Sequence, residues 1–285
     1  MLTLACDRDL MPFPALAPTL LSQFGVGELG LRPFGRSPAD TEIDFQCTSR
    51  PELETALVTA CTQAAKGTLP SPEFFWHLDV GVRTECLLTL GTWGGTWDLE
   101  VELNCREPSC QSELDLTFSL AELSQLQHPV DRQDPIQILL GGQSFTLRRP
   151  TGLDQLHWRS QPFPDEASPI LALIQSLLPP EQRPAFQQSW ELEADPLACL
   201  NLVMAQQDPL VSLNLTVGCP VCGALDVHII DLGAHALQRL RAAQDRLLAT
   251  VHRLASHYHW TEAEIFALPA WRRDRYLALI ERSQP

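Results

Sequence analysis

Apolar and polar positions alternate with period two in four short stretches of the chain. Residues 97–103 (WDLEVEL) and 113–118 (ELDLTF) read as strands with one buried face. Residues 210–217 and 225–231 (LDVHIID) form a second such pair. Residues 137–147, with ILL and FTL on either side of GGQS, predict a hairpin with Gly141-Gly142 at the turn. Elsewhere the period is helical. Leu53, Ala56, Leu57, Ala60 and Cys61 recur at three-and-four spacing and predict a helix over 52–66, stopped by Gly67. Residues 78–90, 169–178 and 195–206 predict further helices. A long stripe (Leu237, Leu240, Ala243, Leu247, Leu248, Val251, Leu254, Ala255) predicts one helix from 234 to about 257. Ser119 with Glu122 and Thr261 with Glu264 each read as a capping box, and Pro269 separates a short helix from a last one over 270–282. Residues 1–50 are rich in Pro and Gly without a period and read as an irregular arm, draped on the body or held by a partner. Residues 159–169 hold three prolines and read as a linker or lid.

Each of the two alternating strand pairs encloses two cysteines, as Cys105-x4-Cys110 and as Cys219-x2-Cys222 in VGCPVCG. In both places the order is helix, strand, cysteine pair, strand, helix, and Cys105 and Cys219 are 114 residues apart. This order predicts a degenerate internal repeat, with Asp115 and Asp226 at matching places on the strand surface rather than as an acid–base pair. A turn between strands aims two sulfurs at one ion; Pro220 stiffens it and Gly223 permits a left-handed backbone. Two such knuckles complete one tetrahedral zinc site from Cys105, Cys110, Cys219 and Cys222, with one structural ion per chain. Four thiolates leave no position for water, so hydrolysis by a zinc Lewis acid is not expected. Cysteines that merely pack, or a thiol redox pair at Cys219 and Cys222, are the alternatives. The redox alternative is disfavoured because a strand follows the pair, where a redox motif opens a helix. Cys6, Cys47, Cys61, Cys86 and Cys199 are scattered and read as small buried apolar residues.

The chain has 285 residues, 45% of them hydrophobic, enough for one large domain or two small ones. Its net charge of −15 disfavours broad attraction to nucleic acid or to an anionic membrane. The charge is uneven, +3 from Gly233 onward and −18 before it, and Lys66 is the only lysine. No run reaches about 18 apolar residues, so no membrane span is expected. The opening MLTLACDRDLMPF lacks the pattern of a signal peptide, so a cytoplasmic protein is expected, and disulfides are not. His252, His257 and His259 lie beside Tyr258 and Trp260 and read as aromatic packing at a helix end rather than a metal site; His77 and His228 read as core or strand-face residues. No nucleophile elbow, phosphate loop or dinucleotide fingerprint is present, and the glycine-rich stretch at 91–95 reads as a turn. Arg272, Arg273 and Arg275 form the densest basic cluster, matched to carboxylates of this chain or of a partner rather than to nucleic acid.

The run VHRLASHYHWTEAEIFALPAWRRDRYLALI resembles the C-terminal signature of T4-type phage base-plate assembly proteins and of related proteins in phage-tail-like contractile injection systems. The resemblance is carried by Tyr258, Trp260, Glu262, Glu264, Ile265, Leu268, Pro269, Arg272, Arg273, Tyr276 and Leu277. LDVGVRTECLLTL (78–90) is similar to the family's Gly-x-Arg helix before a cysteine knuckle, and Pro150-Thr-Gly-Leu-Asp154 to its Pro-Thr-x-x-Asp element. The likeness spans roughly 50–283. It departs at the first knuckle, where Cys-x4-Cys stands for an expected Cys-x2-Cys, and in the first fifty residues, which have no counterpart. The resemblance implies a non-catalytic assembly factor or minor hub component, cytoplasmic or built into the particle, that binds hub, spike or wedge proteins. Tyr258, Trp260, Arg272, Arg273, Arg275 and Tyr276 are the candidate contact residues. The whole reads as an α+β protein: an arm over 1–50, a core over 51–232 whose knuckles (around 97–118 and 210–231) form a zinc-ribbon-like centre flanked by helices, and a helical segment over 233–285. A zinc-ribbon adaptor of another complex and a thiol oxidoreductase are the rival functions.

Overall fold

A computed structural model describes residues 10–91, 98–119, 135–161 and 169–283. Among these the chain is α+β, with eleven α-helices and four small antiparallel sheets. Its largest core forms where three helices meet. Helix α2 (Arg50–Cys61) contributes Leu53, Leu57 and Val58, and α4 (Val80–Gly91) contributes Val82, Cys86, Leu87 and Leu90. The first turns of α9 (Leu232–Tyr258) add Leu232, Ala236 and Leu240. The short helix α3 (Pro72–Trp76) adds Phe74 and Phe75. Arg83 lies within this core, 1% exposed, and is tolerated there because it donates to Glu54, Thr55 and the carbonyls of Pro51 and Phe75.

Two expectations change here. The helix predicted for 52–66 ends at Cys61, because the next residues form a strand, β3 (Thr62–Ala64). Thr62 pairs with Leu31, and the Arg32 N–H donates to the Cys61 carbonyl at 2.8 Å. Nor are residues 10–49 an irregular arm. They supply β1 (Met11–Pro12), α1 (Pro18–Phe24) and β2 (Leu29–Leu31), and β2 lies between β1 and β3 in one sheet. Leu29, Leu31 and Ile43 are buried in the main core. The loop after β2 winds around the buried Asp40, which accepts from Arg32 and from the N–H groups of Gly35, Arg36 and Ser37. Gln244 of α9 holds that loop by donating to the Asp40 and Ile43 carbonyls, each at 2.8 Å. A loop organised around one carboxylate leaves no period in the sequence.

A second core stands between the two cysteine regions in chain order. Strands β6 (Ile136–Leu140) and β7 (Gln143–Leu147) form the predicted hairpin. Gly141 and Gly142 both have positive φ, 57° and 76°, as a two-residue turn of the right hand for a hairpin requires. Ile136, Ile138, Leu140, Phe145 and Leu147 pack on α6 (Pro169–Leu177), α7 (Arg183–Leu192) and α8 (Pro196–Gln207). Helix α5 (Gly152–Ser160), capped by Thr151 and Asp154, joins this layer to the first. The buried Arg149–Asp208 pair, at 3.0 Å, ties the segment after β7 to the end of α8. The periodicity reading marked neither α5 nor α7. Past Ser119, which ends a strand, the helix predicted from Ser119 with Glu122 lies outside the described residues, as do the turn at 91–95 after Gly91 and most of the 159–169 segment; residues 159 and 160 finish α5.

The C-terminal segment is not set off at residue 233. Helix α9 starts in the main core and ends in a small separate one, where Leu254 meets Ile265 of α10 (Glu262–Ala267) and Ile280 of α11 (Ala270–Ser283). Thr261 and Glu264 cap α10 reciprocally, as the sequence predicts.

Candidate metal centre

Two hairpins carry the cysteines. Strands β4 (Asp98–Asn104) and β5 (Glu113–Ser119) pair along their full length, with Asn104 opposite Glu113 at the end. Strands β8 (Leu213–Gly218) and β9 (Leu225–Ile230) pair likewise and end with Gly218 opposite Leu225. The inward faces meet: Leu103 and Leu114 pack with Val217, Cys105 and Cys219. Arg106 reaches across the hairpins to Asp226 at 3.5 Å.

The knuckles share a backbone plan. The first cysteine of each directly follows the last ladder residue. Its N–H donates to the carbonyl just before the returning strand, from Cys105 to Ser112 at 2.9 Å and from Cys219 to Ala224 at 2.8 Å. The residue after each second cysteine is left-handed, Gln111 with φ 51° and Gly223 with φ 75°. The first cysteines are offset by 114 residues and these left-handed residues by 112, so the first knuckle is longer by two. The backbone match also corrects the pairing of the acids. Glu113 corresponds to Leu225, so Asp115 corresponds to Val227 and Asp226 to Leu114. Asp115 is exposed, whereas Asp226 is half-buried on the inward face. A shift of one residue along a strand exchanges its faces, so the two are not equivalent.

All four sulfurs of Cys105, Cys110, Cys219 and Cys222 lie within 4.8 Å of one another. Each knuckle meets the other: Cys105 Sγ is 3.6 Å from Cys222 Sγ, and Cys110 Sγ is 3.8 Å from Cys219 Sγ. A tetrahedron with metal–sulfur bonds of about 2.3 Å spaces its sulfurs about 3.8 Å apart, so the cluster has the size of a four-thiolate site. The group can hold a metal ion.

The local field already favours thiolate at one position. The Cys219 thiol is pulled down to about 6, first by the Ser112 hydroxyl and then by the N–H groups of Cys222 and Val221. Ser112 Oγ lies 3.1 Å from Cys219 Sγ and 3.3 Å from Cys110 Sγ, and it also lowers the Cys110 thiol. Cys105 moves the other way, up to about 12. The Glu107 N–H favours its thiolate, but burial and the three neighbouring thiols together outweigh that contact. Four negative sulfurs at these distances repel one another, and a divalent cation removes that obstacle. Ser112 escaped the sequence reading because no spacing rule marks a serine that two knuckles come to share.

Among the described residues the other cysteines are apart from this cluster. Cys61 and Cys86 are fully buried, and burial pushes the Cys61 thiol up to about 12. Cys47 and Cys199 are partly buried, and Cys6 lies outside the described residues.

The six candidate contact residues fall into two groups. Tyr258 stacks on Trp260 at 4.6 Å, and both meet Tyr276 edge-on, so these three rings pack on one another. Arg273 is buried and donates to the Gly35 carbonyl. Arg272 lies along Tyr276, and Arg275 and Trp271 are exposed. His257 packs edge-on against Tyr258, and His228 is buried on β9.

Fold and site together define an α+β protein with a four-thiol centre closed between two hairpins. Comparisons with protein-family models, with curated proteins and with solved structures give no match to this chain. Among the described residues no helix is long and apolar enough to cross a membrane.

Proposed function

We propose that this protein is a non-catalytic structural or assembly component of the base-plate hub of a contractile phage tail or related injection particle, and that its four cysteines hold one zinc ion as a staple. The observation that carries the staple is the convergence of Cys105 and Cys110 with Cys219 and Cys222 from hairpins separated by an entire second core. Zinc suits four soft sulfur donors, and a full tetrahedron leaves no vacancy for substrate. The ion would work as it does in a zinc ribbon, binding distant hairpins into one rigid unit.

The hub reading rests on the C-terminal resemblance, and two features of the molecule agree with it. The signature residues Tyr258, Trp260, Glu264, Ile265 and Tyr276 fold into one closed helical cap rather than scattering. The outward face of β9 shows Leu225, Val227 and Ile229 to solvent, with Val221 at the knuckle tip, which suits a protein that docks on others.

Metal analysis and affinity purification test the two halves separately. About one zinc per chain, released by a thiol-modifying reagent, is the expected result for the centre. Recovery of hub, spike or wedge proteins from cells assembling a contractile tail is expected for the role, and their absence under those conditions counts against it. One observation favours a second reading, thiol exchange: Cys219 is acidified and Cys222 is exposed. A metal-free protein whose Cys219 and Cys222 form a disulfide under mild oxidation would support that reading instead.

A further inference from the structure

Several arginines of this chain are matched to carboxylates: Arg32 to Asp40, Arg83 to Glu54, Arg149 to Asp208 and Arg253 to Glu281. Three others converge without such a match. Arg36 of the loop after β2, Arg246 of α9 and Arg273 of α11 line one cleft of about 220 Å3, and among the described residues none of them forms an ion pair.

Arg273 is the informative member. It is 4% exposed, its Nη2 reaches the Gly35 carbonyl at 3.3 Å, and its guanidinium lies over the Phe266 ring at 5.1 Å. Its Nη1 is buried and, among the described residues, has no hydrogen-bond partner. Buried charged donors are ordinarily satisfied, so this one marks the place of a missing acceptor. Arg36 and Arg246 are exposed and flank it as two long arms. Helix α11 begins at Ala270 on the same cleft, so its positive end adds to the field there. Phe34 and Leu247 supply apolar wall beside the charges.

We propose that this cleft is a docking site for an acidic segment of a protein partner, with one carboxylate seated against Arg273 and clasped by Arg36 and Arg246. The acidic segment fits better than a free anion because Phe34 and Leu247 offer apolar wall to the side chains that flank its carboxylate, and inorganic phosphate has none. A guanidinium fork can pair a carboxylate in two parallel hydrogen bonds. Screening limits the repulsion of the distant acidic body to about 8 Å at physiological salt, so the local arginines dominate at contact. The cleft shares no residue with the cysteine centre and does not depend on zinc there.

The test uses the full chain and a fluorescein-labelled oligoglutamate peptide, followed by fluorescence anisotropy. Arg36→Gln and Arg246→Gln change exposed residues, and circular dichroism checks that both variants keep the fold. Each is expected to weaken peptide binding about tenfold. Arg241→Gln, the same charge change at an exposed position of α9 outside the cleft, is expected to leave binding within about twofold. Equal weakening by Arg241→Gln and Arg246→Gln would reduce the effect to net charge and overturn the site. Failure of the peptide to bind at low salt would also overturn it. Inorganic phosphate or a single-stranded oligonucleotide binding more tightly than the peptide, through the same arginines, would overturn the carboxylate assignment.

Discussion

The two cysteine hairpins present the same inward face and opposite outward ones. Inward, each gives two sulfurs and an apolar strip to a shared seam. Outward, the β4–β5 hairpin carries Asp98, Glu100, Glu102, Glu113 and Asp115, all exposed. The β8–β9 hairpin instead shows Leu225, 76% exposed, with Val227 at 48% and Ile229 at 62%. Their loops differ too, by two residues, yet both place a left-handed residue directly after the second cysteine. The position of the sulfurs and that one backbone conformation are therefore what the centre demands. Loop length between the cysteines and the chemistry of the solvent face are free to diverge. An acidic face repels like-charged chains and stays soluble, whereas an apolar face on a sheet is available for contact.

The strongest way to break the comparison is to ask whether the longer knuckle contributes equally. If both hairpins share one ion, Cys110→Ser and Cys222→Ser lose the metal to the same extent. Each should lower the melting temperature by on the order of 10 °C, since metal binding is coupled to folding. Cys61→Ser, outside the cluster, should keep its metal and fall much less. Metal content by mass spectrometry with thermal melts checks this; a Cys110→Ser protein that keeps a full complement of zinc would reduce the first knuckle to a bystander. Next in size is Ser112→Ala. It removes the hydroxyl between Cys110 and Cys219 and should weaken metal affinity roughly 10- to 100-fold, as loss of a supporting hydrogen bond does. Competition against a chromogenic chelator reads that change, and an affinity unchanged from the parent would show the serine to be incidental.

The left-handed residues give a pair of opposite signs. Among the described residues a Cβ at Gly223 would meet nothing within 4 Å, so Gly223→Ala costs only backbone strain, about 1 kcal/mol. Gln111 already bears that strain, so Gln111→Gly should stabilise by about 0.5 kcal/mol, after the added freedom of the unfolded chain is subtracted. Denaturant unfolding of the metal-loaded protein measures both, and two changes of the same sign would contradict the shared plan.

How much of this was legible in the sequence follows from what burial writes into it. One-sided burial makes a strand alternate, so both cysteine hairpins and the Gly141-Gly142 turn could be read directly. The strands Met11–Pro12, Leu29–Leu31 and Thr62–Ala64 are too short to show a period. The end of α2 was hidden because residues 62–66 suit a helix by themselves and yield only to the pairing of Thr62 with Leu31. Asp115 and Asp226 were matched by letters, LDLTF against LDVHI, and that alignment slips by one place relative to the backbone. The sulfur cluster could be inferred because cysteine spacing is itself a signal. The arginine cleft could not, since Arg36 is drawn from a loop far from Arg246 and Arg273 in sequence.

The smallest effect concerns the outward faces alone. Glu102 lies directly opposite Asp115 on the β4–β5 hairpin, and like charges in that relation are destabilising. Glu102→Lys turns the pair into an attractive one and should stabilise by about 0.2–0.4 kcal/mol at low salt. Part of any gain could come merely from adding positive charge to a chain of net −15. Thr216→Lys isolates that part: Thr216 is exposed on the other hairpin and faces Val227, which carries no charge. The difference between the two variants is therefore the cross-strand term, and it should shrink as salt screens it. Equal gains would mean that the acidic face owes its cost to the whole molecule and not to the pairing of its strands.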